Sequence, residues 1–423
     1  MLSSLVAPPL FGDMPGGMHQ PSCRLCGARL HTSLLDLGDV PLANRTVASD
    51  EAERSYRLQA LICDSCMLVQ VPDVAGRDVV SPPDPFLSSR LPSAVEHARR
   101  FAEAMCHRLS LDEDALVIEI GSNDGYLLRH FQAAGIPVLG IEAAARPAAV
   151  ANDGGVPTEM GYFSAETAME IAVRHGRADL VVANNVLPHV PDLFDFAAGF
   201  AGILRPNGIL VLEAPHLLSL MQRLQFDAFR HDTYAYLTQQ VVERILRSVG
   251  MRVFDAERLT DHGGSLRIYA CHAVSTHGAR PGLKAVRSAE AQARLDQPEF
   301  YVGFGQRVAA ARDEIGRFLR LRAESGRRVA AFGAAARGAT LLNLCGITEK
   351  EIAFVADPDL SKQGRLLPGS RVPIVSSEAL LMAPPDDLVI LPWTHASEIS
   401  SQLQPLRQGG TQFWTAIPRI ARV

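Results

Sequence analysis

A chain of 423 residues is longer than one hydrophobic core usually holds and predicts two or three domains. Apolar residues make up 47% and charged residues 21%, with a formal net charge of −5, which is the balance of an ordinary soluble globular protein and not that of a nucleic-acid binder. No run of about 18 apolar residues occurs and Met1-Leu2-Ser3-Ser4-Leu5-Val6 lacks basic residues, so neither a membrane anchor nor a signal peptide is expected. Seven cysteines, four of them in two close pairs, fit a reducing cytoplasm better than a disulfide framework.

In chain order, residues 1–20 read as a flexible tail. Residues 21–80 are turn-rich and carry Cys23-x2-Cys26 and Cys63-x2-Cys66. A two-residue gap lets a tight turn aim both sulfurs at one ion, and two such pairs supply the four thiolates of a tetrahedral zinc site. Free or redox-active thiols are the competing reading, but one redox pair needs one CxxC and here there are two, 36 residues apart. With every position filled by protein, the zinc is predicted to be structural, stabilising a segment too small for a core of its own. Ser81-Pro82-Pro83-Asp84-Pro85 then breaks regular structure and reads as a linker.

From about residue 90 to 275 strand and helix patterns alternate: helix Ala94–Leu109, strand Leu116–Ile120, helix Tyr126–Ala134, strands Pro137–Ile141 and Leu180–Ala183, a helix near Ala197–Leu204, and strand Ile209–Glu213. Such alternation predicts a mostly parallel sheet. A long helix over Phe300–Ser325 leads into a second series with buried strands at Val329–Phe332, Ile352–Ala356 and Leu388–Leu391. The predicted division is a tail (1–20), a zinc-binding module (21–80), a first α/β domain (81–290) and a second (291–423).

The strand ending at Ile120 opens into Gly121-Ser122-Asn123-Asp124-Gly125, with Glu119 two residues before the first glycine. Glycine lets the backbone bend sharply and a ligand lie against it where a Cβ would collide. The GxGxxG of a dinucleotide site is absent, and an anionic Glu119 instead suits a ligand with an amino group. Glu142, at the end of the next strand, is placed to accept ribose hydroxyls. A glycine turn alone is ordinary turn chemistry; with its strand, helix and second acid it predicts S-adenosylmethionine held by Glu119, Gly121, Asn123, Gly125 and Glu142. Loss of the zinc is expected to loosen the first 80 residues and leave this pocket largely intact.

Further motifs follow in order: Pro41-Leu42-Ala43-Asn44 between the cysteine pairs, Gly125-Tyr126-Leu127-Leu128, Ala183-Asn184-Asn185-Val186-Leu187-Pro188-His189-Val190-Pro191-Asp192, Gln225-Phe226-Asp227, His262-Gly263-Gly264-Ser265-Leu266-Arg267, Gly338-Ala339-Thr340-Leu341-Leu342-Asn343, Lys362-Gln363-Gly364-Arg365, Leu367-Pro368-Gly369 and Leu391-Pro392-Trp393. By these motifs, from Cys23 onward, the chain resembles the sugar C-methyltransferases of antibiotic biosynthesis, which act on nucleotide-linked keto-deoxysugars. The resemblance implies an α/β protein with a small N-terminal zinc-binding module, a class I (Rossmann-like) methyltransferase domain and a C-terminal Rossmann-like domain, the sugar nucleotide lying between the last two. It also implies C-methylation of a nucleotide-linked 4-keto-deoxysugar in specialised metabolism. Asn184 and Asn185 are expected to contact the cofactor, and the protein is expected to be a monomer.

Methylating the carbon beside a ketone needs a base for the α-proton, stabilisation of the enolate oxygen and an aligned methyl donor. In the family a Tyr-His-Glu-His-Tyr-like stretch after the Phe-Asp motif supplies these groups; here it is Arg230-His231-Asp232-Thr233-Tyr234. His231, Asp232 and Tyr234 are retained in kind, whereas the family's base histidine is Thr233, whose hydroxyl is no base at neutral pH. Either His231 or His189 takes over proton removal, or the substrate's proton is acidic enough to need little help, or the reaction is O- or N-methylation, or the protein binds its sugar nucleotide without turnover. A plain surface His231 and a His189 that only caps its turn are the blander readings. Phe86 stands where the family carries pocket tyrosines, and Arg230 could pair with a phosphate or carboxylate.

The turn His262-Gly263-Gly264 feeds an edge strand with Arg267, either as a plain hairpin or as backbone that approaches the sugar. Phe332-Gly333-Ala334-Ala335-Ala336-Arg337 opens a helix after a strand, so free N–H groups with Arg337, Lys362 and Arg365 are expected to cradle a diphosphate. Asp357 at a strand end is the mark of a nicotinamide site and raises an oxidoreductase as the rival from another class, against which the missing GxGxxG counts.

Overall fold

The computed structural model describes residues 21–81 and 85–423; the tail expected over 1–20 and Pro82-Pro83-Asp84 of the linker lie outside the described residues. Among the described residues the strands form three sheets.

The first is an antiparallel meander of β1 (Thr32–Pro41), β2 (Ser55–Ile62) and β3 (Val69–Gln70), with the two cysteine turns at one end. Helix Pro92–Leu109 follows the linker, beginning with a proline whose fixed φ suits the first helical position. It buries Ala98, Phe101, Ala102 and Met105, spaced for one helical face, and ends where Ser110 turns left-handed at φ 52°.

The central sheet carries β4 (Val117–Ile120), β5 (Val138–Glu142), β6 (Thr158–Met160), β7 (Ala178–Asn184) and β8 (Leu204–Pro215). After these come β9 (Ala235–Tyr236), which joins another sheet, then β10 (Met251–Leu259) and β11 (Ser265–His272). The order is β10-β11-β8-β7-β4-β5-β6, parallel from β6 to β8, with β11 inserted antiparallel between β8 and β10. All four residues of β4 are buried, as a strand covered on both faces requires. This is the expected class I, Rossmann-like methyltransferase topology. Successive strands are added to one side of β4 and then, from β7, to the other, so the ligand crevice lies beyond the carboxyl ends of β4 and β7.

The C-terminal sheet repeats the principle with β12 (Val329–Phe332), β13 (Val355–Ala356), β14 (Ile374–Val375), β15 (Asp387–Ile390), β16 (Gln412–Thr415) and β17 (Ala421–Arg422). The order is β14-β13-β12-β15-β16-β17, parallel but for β17, and its switch point separates β12 from β15. There Gly333 adopts φ +90°, and a Cβ on it would overlap the Pro392 ring.

β9 belongs to the first sheet: Tyr236 pairs with Val69 and Ala235 with Gln70. The N-terminal module is thus completed by two residues that directly follow the turn at 230–234, a tie that its sequence does not announce.

Most expected elements form, with shifted ends. The helix placed near Ala197 begins at Leu193, because the Asp192 carboxylate accepts the N–H groups of Phe194 and Asp195, both at 3.0 Å. Leu204 starts β8 instead of ending that helix. Of Ile352–Ala356 only Val355–Ala356 forms a strand, since the Glu351 and Ile352 N–H groups turn back onto the Thr348 carbonyl. The long helix spans Phe304–Glu324.

Candidate active site

At the β4 switch point Gly121 and Gly125 adopt φ +70° and +73°, and a Cβ on Gly121 would stand 2.5 Å from Val186 Cγ2. Glu119, 1% exposed, has a buried Oε2 with no hydrogen-bond partner among the described residues. Burial, then the charges of Glu142 and Asp124, push its carboxyl well above the usual carboxylate range. Asp124 Oδ1 and Asn184 Oδ1 are buried and unpartnered in the same way. Buried acceptors left unpaired call for donors, and the ammonium and hydroxyls of S-adenosylmethionine are such donors, so these residues fit the cofactor. Glu142 Oε2 accepts the Asn123 N–H at 2.9 Å and Oε1 that of Ala144 at 2.8 Å, and the acceptor capacity the carboxylate has left suits a ribose hydroxyl.

The Asn123 side chain does different work from that expected. Its Oδ1 accepts the Ser88 N–H at 2.9 Å and its Nδ2 donates to the Phe86 carbonyl at 3.0 Å, so it pins the end of the linker over the cofactor loop. Asp124 Oδ2 accepts the Ser89 N–H at 3.1 Å, and the Phe86 ring is left half exposed.

Beyond β7 lies a cavity of about 90 Å³ whose lining includes Asn185, His189, Arg230, Thr233, Tyr236 and Arg337. His189 Nδ1 donates to the Asp232 carbonyl, which fixes the tautomer and leaves the Nε2 lone pair available as a proton acceptor. Burial lowers the His189 pKa, and Arg230 adds to this against the opposing charge of Asp232. The Asp232 carboxylate takes Arg230 Nε at 2.8 Å and Asn44 Nδ2 at 3.2 Å. Burial opposes its ionisation, but the Arg230 and His189 charges outweigh burial and hold Asp232 at about 2. Arg230 is therefore neutralised from within.

His231 and Tyr234 turn the other way. His231, 3% exposed, has Nε2 3.1 Å from the Tyr56 carbonyl of β2, and burial lowers its pKa. Tyr234 packs with Leu42 and Val80, and burial, followed by the Asp73 charge, pushes its hydroxyl up to about 12. The turn thus sends Arg230 and Thr233 to the cavity and His231 and Tyr234 to the N-terminal module.

Arg267 and the C-terminal cations are also engaged. Arg267 Nη2 lies 2.8 Å from Glu213 Oε2, which His97 Nε2 approaches at 3.2 Å. Burial would raise Glu213, but the His97 hydrogen bond and the Arg267 charge hold it below the usual range. Arg337 Nη2 donates to Gln225 Oε1 at 3.0 Å and Asp227 Oδ1 at 3.1 Å, and Trp393 Nε1 donates to Asp227 Oδ2 at 2.8 Å. Lys362 Nζ meets Asp357 Oδ2 at 3.3 Å, and Arg365 Nε meets Thr46 Oγ1 at 2.9 Å. Arg337, Lys362 and Arg365 do not converge as expected. The Ala334 N–H of the expected anion cradle goes to Asp357 Oδ2 at 2.7 Å, just as Asn123 N–H goes to Glu142.

In the N-terminal module the four cysteine sulfurs all lie within 4.8 Å of one another, with Cys23–Cys66 and Cys26–Cys63 each 3.5 Å apart. Zinc–sulfur bonds of about 2.3 Å in a tetrahedron set the sulfurs about 3.8 Å apart, so this donor set fits zinc. Gln70 Nε2 donates to Cys23 Sγ at 3.2 Å, an outer-shell bond of the kind that orients a ligand.

Residues 23–80 match the family model of a zinc binding domain, 94–255 that of a methyltransferase domain, and 260–418 that of a C-methyltransferase C-terminal domain. C-methyltransferase NovU of Streptomyces niveus is 33% identical over 399 residues, covering 94% of this chain and 95% of its own. The chain belongs to this C-methyltransferase family. A ubiquinone biosynthesis O-methyltransferase of Aromatoleum aromaticum is 28% identical over 32% of this chain and 63% of its own. The magnesium protoporphyrin IX methyltransferase structure from Synechocystis PCC 6803 with bound S-adenosylmethionine is 16% identical with a TM-score of 0.32, over 45% of this chain and 86% of that one.

This C-methyltransferase is thus an S-adenosylmethionine-dependent enzyme with an N-terminal zinc site. When bound, the cofactor supplies an electrophilic methyl group. Among the described residues no helix is long and apolar enough to cross a membrane. Sequence reasoning missed Gln70, Asn44, His97, Glu213 and Asp227 as site residues. Glu213 had a signal, an acid closing the apolar run Ile209-Leu210-Val211-Leu212, and Asn44 and Asp227 lay in recognised motifs. Gln70 had none.

Proposed function

We propose that the enzyme methylates the carbon beside the ketone of a nucleotide-linked 4-keto-deoxysugar, in cytoplasmic specialised metabolism, with His189 as the base. The observation that carries this is the hydrogen bond from His189 Nδ1 to the Asp232 carbonyl, which leaves a neutral imidazole nitrogen at the cavity shared with Thr233 and Arg337. The α-proton passes to His189 Nε2, and the C–H electron pair moves into the enolate, whose carbon is then the nucleophile. Arg337, which lines the cavity from the C-terminal domain, is the cation assigned to the developing enolate oxygen, since Arg230 is held by Asp232. His231 has a structural role in this reading, because its ring nitrogen is committed to Tyr56. The working division is N-terminal module to residue 80, methyltransferase domain to 290 and C-terminal domain thereafter.

The test incubates the protein with labelled S-adenosylmethionine and a panel of nucleotide-linked 4-keto sugars, locating the methyl by mass spectrometry and NMR. The expected product carries it on carbon, and His189→Gln is expected to lower kcat by about 10²–10⁴-fold while leaving cofactor affinity unchanged. Methyl on oxygen or nitrogen, or full turnover by His189→Gln, would sink the reading. Absence of S-adenosylhomocysteine with every sugar would favour a binding protein that has lost turnover.

A further inference from the structure

Arg24 sits between Cys23 and Cys26, yet its side chain leaves the metal turn. Its Nη1 donates to the Pro191 carbonyl at 2.9 Å and its Nη2 to the Val71 carbonyl at 3.0 Å, while the guanidinium carbon lies 4.8 Å from the centre of the Tyr234 ring. We propose that Arg24 is a positioning residue for His189, joining the zinc turn to both segments that hold the imidazole.

The connections are short. Pro191 is two residues after His189, and Tyr234 is two after Asp232, whose carbonyl accepts the His189 Nδ1–H. The Tyr234 N–H donates to the Pro188 carbonyl at 2.8 Å, and the Val71 N–H donates to the Tyr234 carbonyl at 3.2 Å. One planar group therefore bridges the loop after β7, the strand segment after β3 and the turn at 230–234. The other end of Arg24 is fixed as well: its own N–H donates at 3.0 Å to Gln70 Oε1, the same side chain whose Nε2 reaches Cys23 Sγ. A lysine cannot copy this, because an ammonium is a point donor and lacks the rigid fork that reaches two carbonyls while stacking on a ring. A base misplaced by about 1 Å can lose about 10²-fold in rate. None of these bonds involves Glu119, the Gly121–Gly125 loop or Glu142, so methyl-donor affinity is expected to be retained.

The inference rests on the reading of His189 as the base, and the experiment separates the two. Arg24→Met, His189→Gln and the double variant are compared in full-length protein with a turned-over nucleotide-linked 4-keto sugar. Cofactor affinity by equilibrium dialysis, bound zinc, and amide hydrogen exchange over Val186–Leu193 are measured in parallel. Arg24→Met is expected to retain zinc and cofactor affinity, exchange faster over Val186–Leu193 and lose about 10- to 10²-fold in kcat. The double variant is expected to be no slower than His189→Gln alone. Wild-type exchange and turnover in Arg24→Met overturns the proposal, as does a further loss in the double variant equal to that in the single one. Full turnover by His189→Gln would remove the base assignment, while the exchange result would still judge the clamp. If Arg24→Met fails to fold, Arg24→Lys takes its place, with an intermediate loss expected and wild-type exchange and kcat counting against the proposal.

Discussion

Removing the Asp227 carboxylate probes the joint between the two α/β domains. Asp227 is 1% exposed and accepts both Arg337 Nη2 at 3.1 Å and Trp393 Nε1 at 2.8 Å. Truncating one partner of a buried charge pair costs about 3–5 kcal/mol, because the other is left desolvated and unpaired. Arg337 keeps Gln225 and is 23% exposed at its side chain, which places Asp227→Ala near the lower end, about 3 kcal/mol or roughly 10²-fold on the equilibrium that holds the joint closed. Asp227→Asn keeps an acceptor for the indole and should lose less. Amide exchange over the helix Ala336–Cys345 and the urea midpoint read this loss, and KM for the sugar should rise because Arg337 lines the cavity. Both variants falling within about 0.5 kcal/mol of wild type would refute the reasoning.

Glu119→Gln should weaken S-adenosylmethionine binding by about 10- to 10²-fold, the loss of a charge-assisted hydrogen bond, as read by calorimetry. Burial raises the Glu119 pKa, and the ionised form is the one that pairs with a cationic ligand. Affinity should therefore be full above that raised value and fall as pH drops through it, and Glu119→Gln should flatten the dependence; equal slopes would count against the pairing. Burial lowers the His189 pKa, so the neutral base persists to lower pH than usual and the acidic limb of kcat should lie below about 6.5. A limb above 7 would point to another base. Chelating the zinc should abolish turnover with little change in cofactor affinity, since β3 pairs with β9 beside the turn at 230–234. Unaltered turnover in zinc-free protein would show that this pairing survives without the metal.

What the sequence disclosed was local. Each cysteine pair, Glu119 before its glycine loop and Glu142 at the strand end are placed by residues close in sequence or across one βαβ unit, where spacing dictates geometry. The direction of His231 depends on which face of a short turn meets β2, and nothing within Arg230–Tyr234 encodes that choice. Arg365 finds Thr46 from 319 residues away, and Gln70 reaches Cys23 through the register of a two-residue strand. The cations looked available because their partners, Glu213, Asp227, Asp232 and Asp357, lie on other elements or were read for other roles.

Tyr236 and Ala235 also constrain where this chain can be cut. A catalytic fragment begun after the linker would present β9 as a bare ladder edge and leave Tyr234 and Tyr236 without their covering strands, the combination that invites self-association. Grafting another metal module onto this scaffold would need to reproduce a two-residue β-pairing and not merely a linker of matching length.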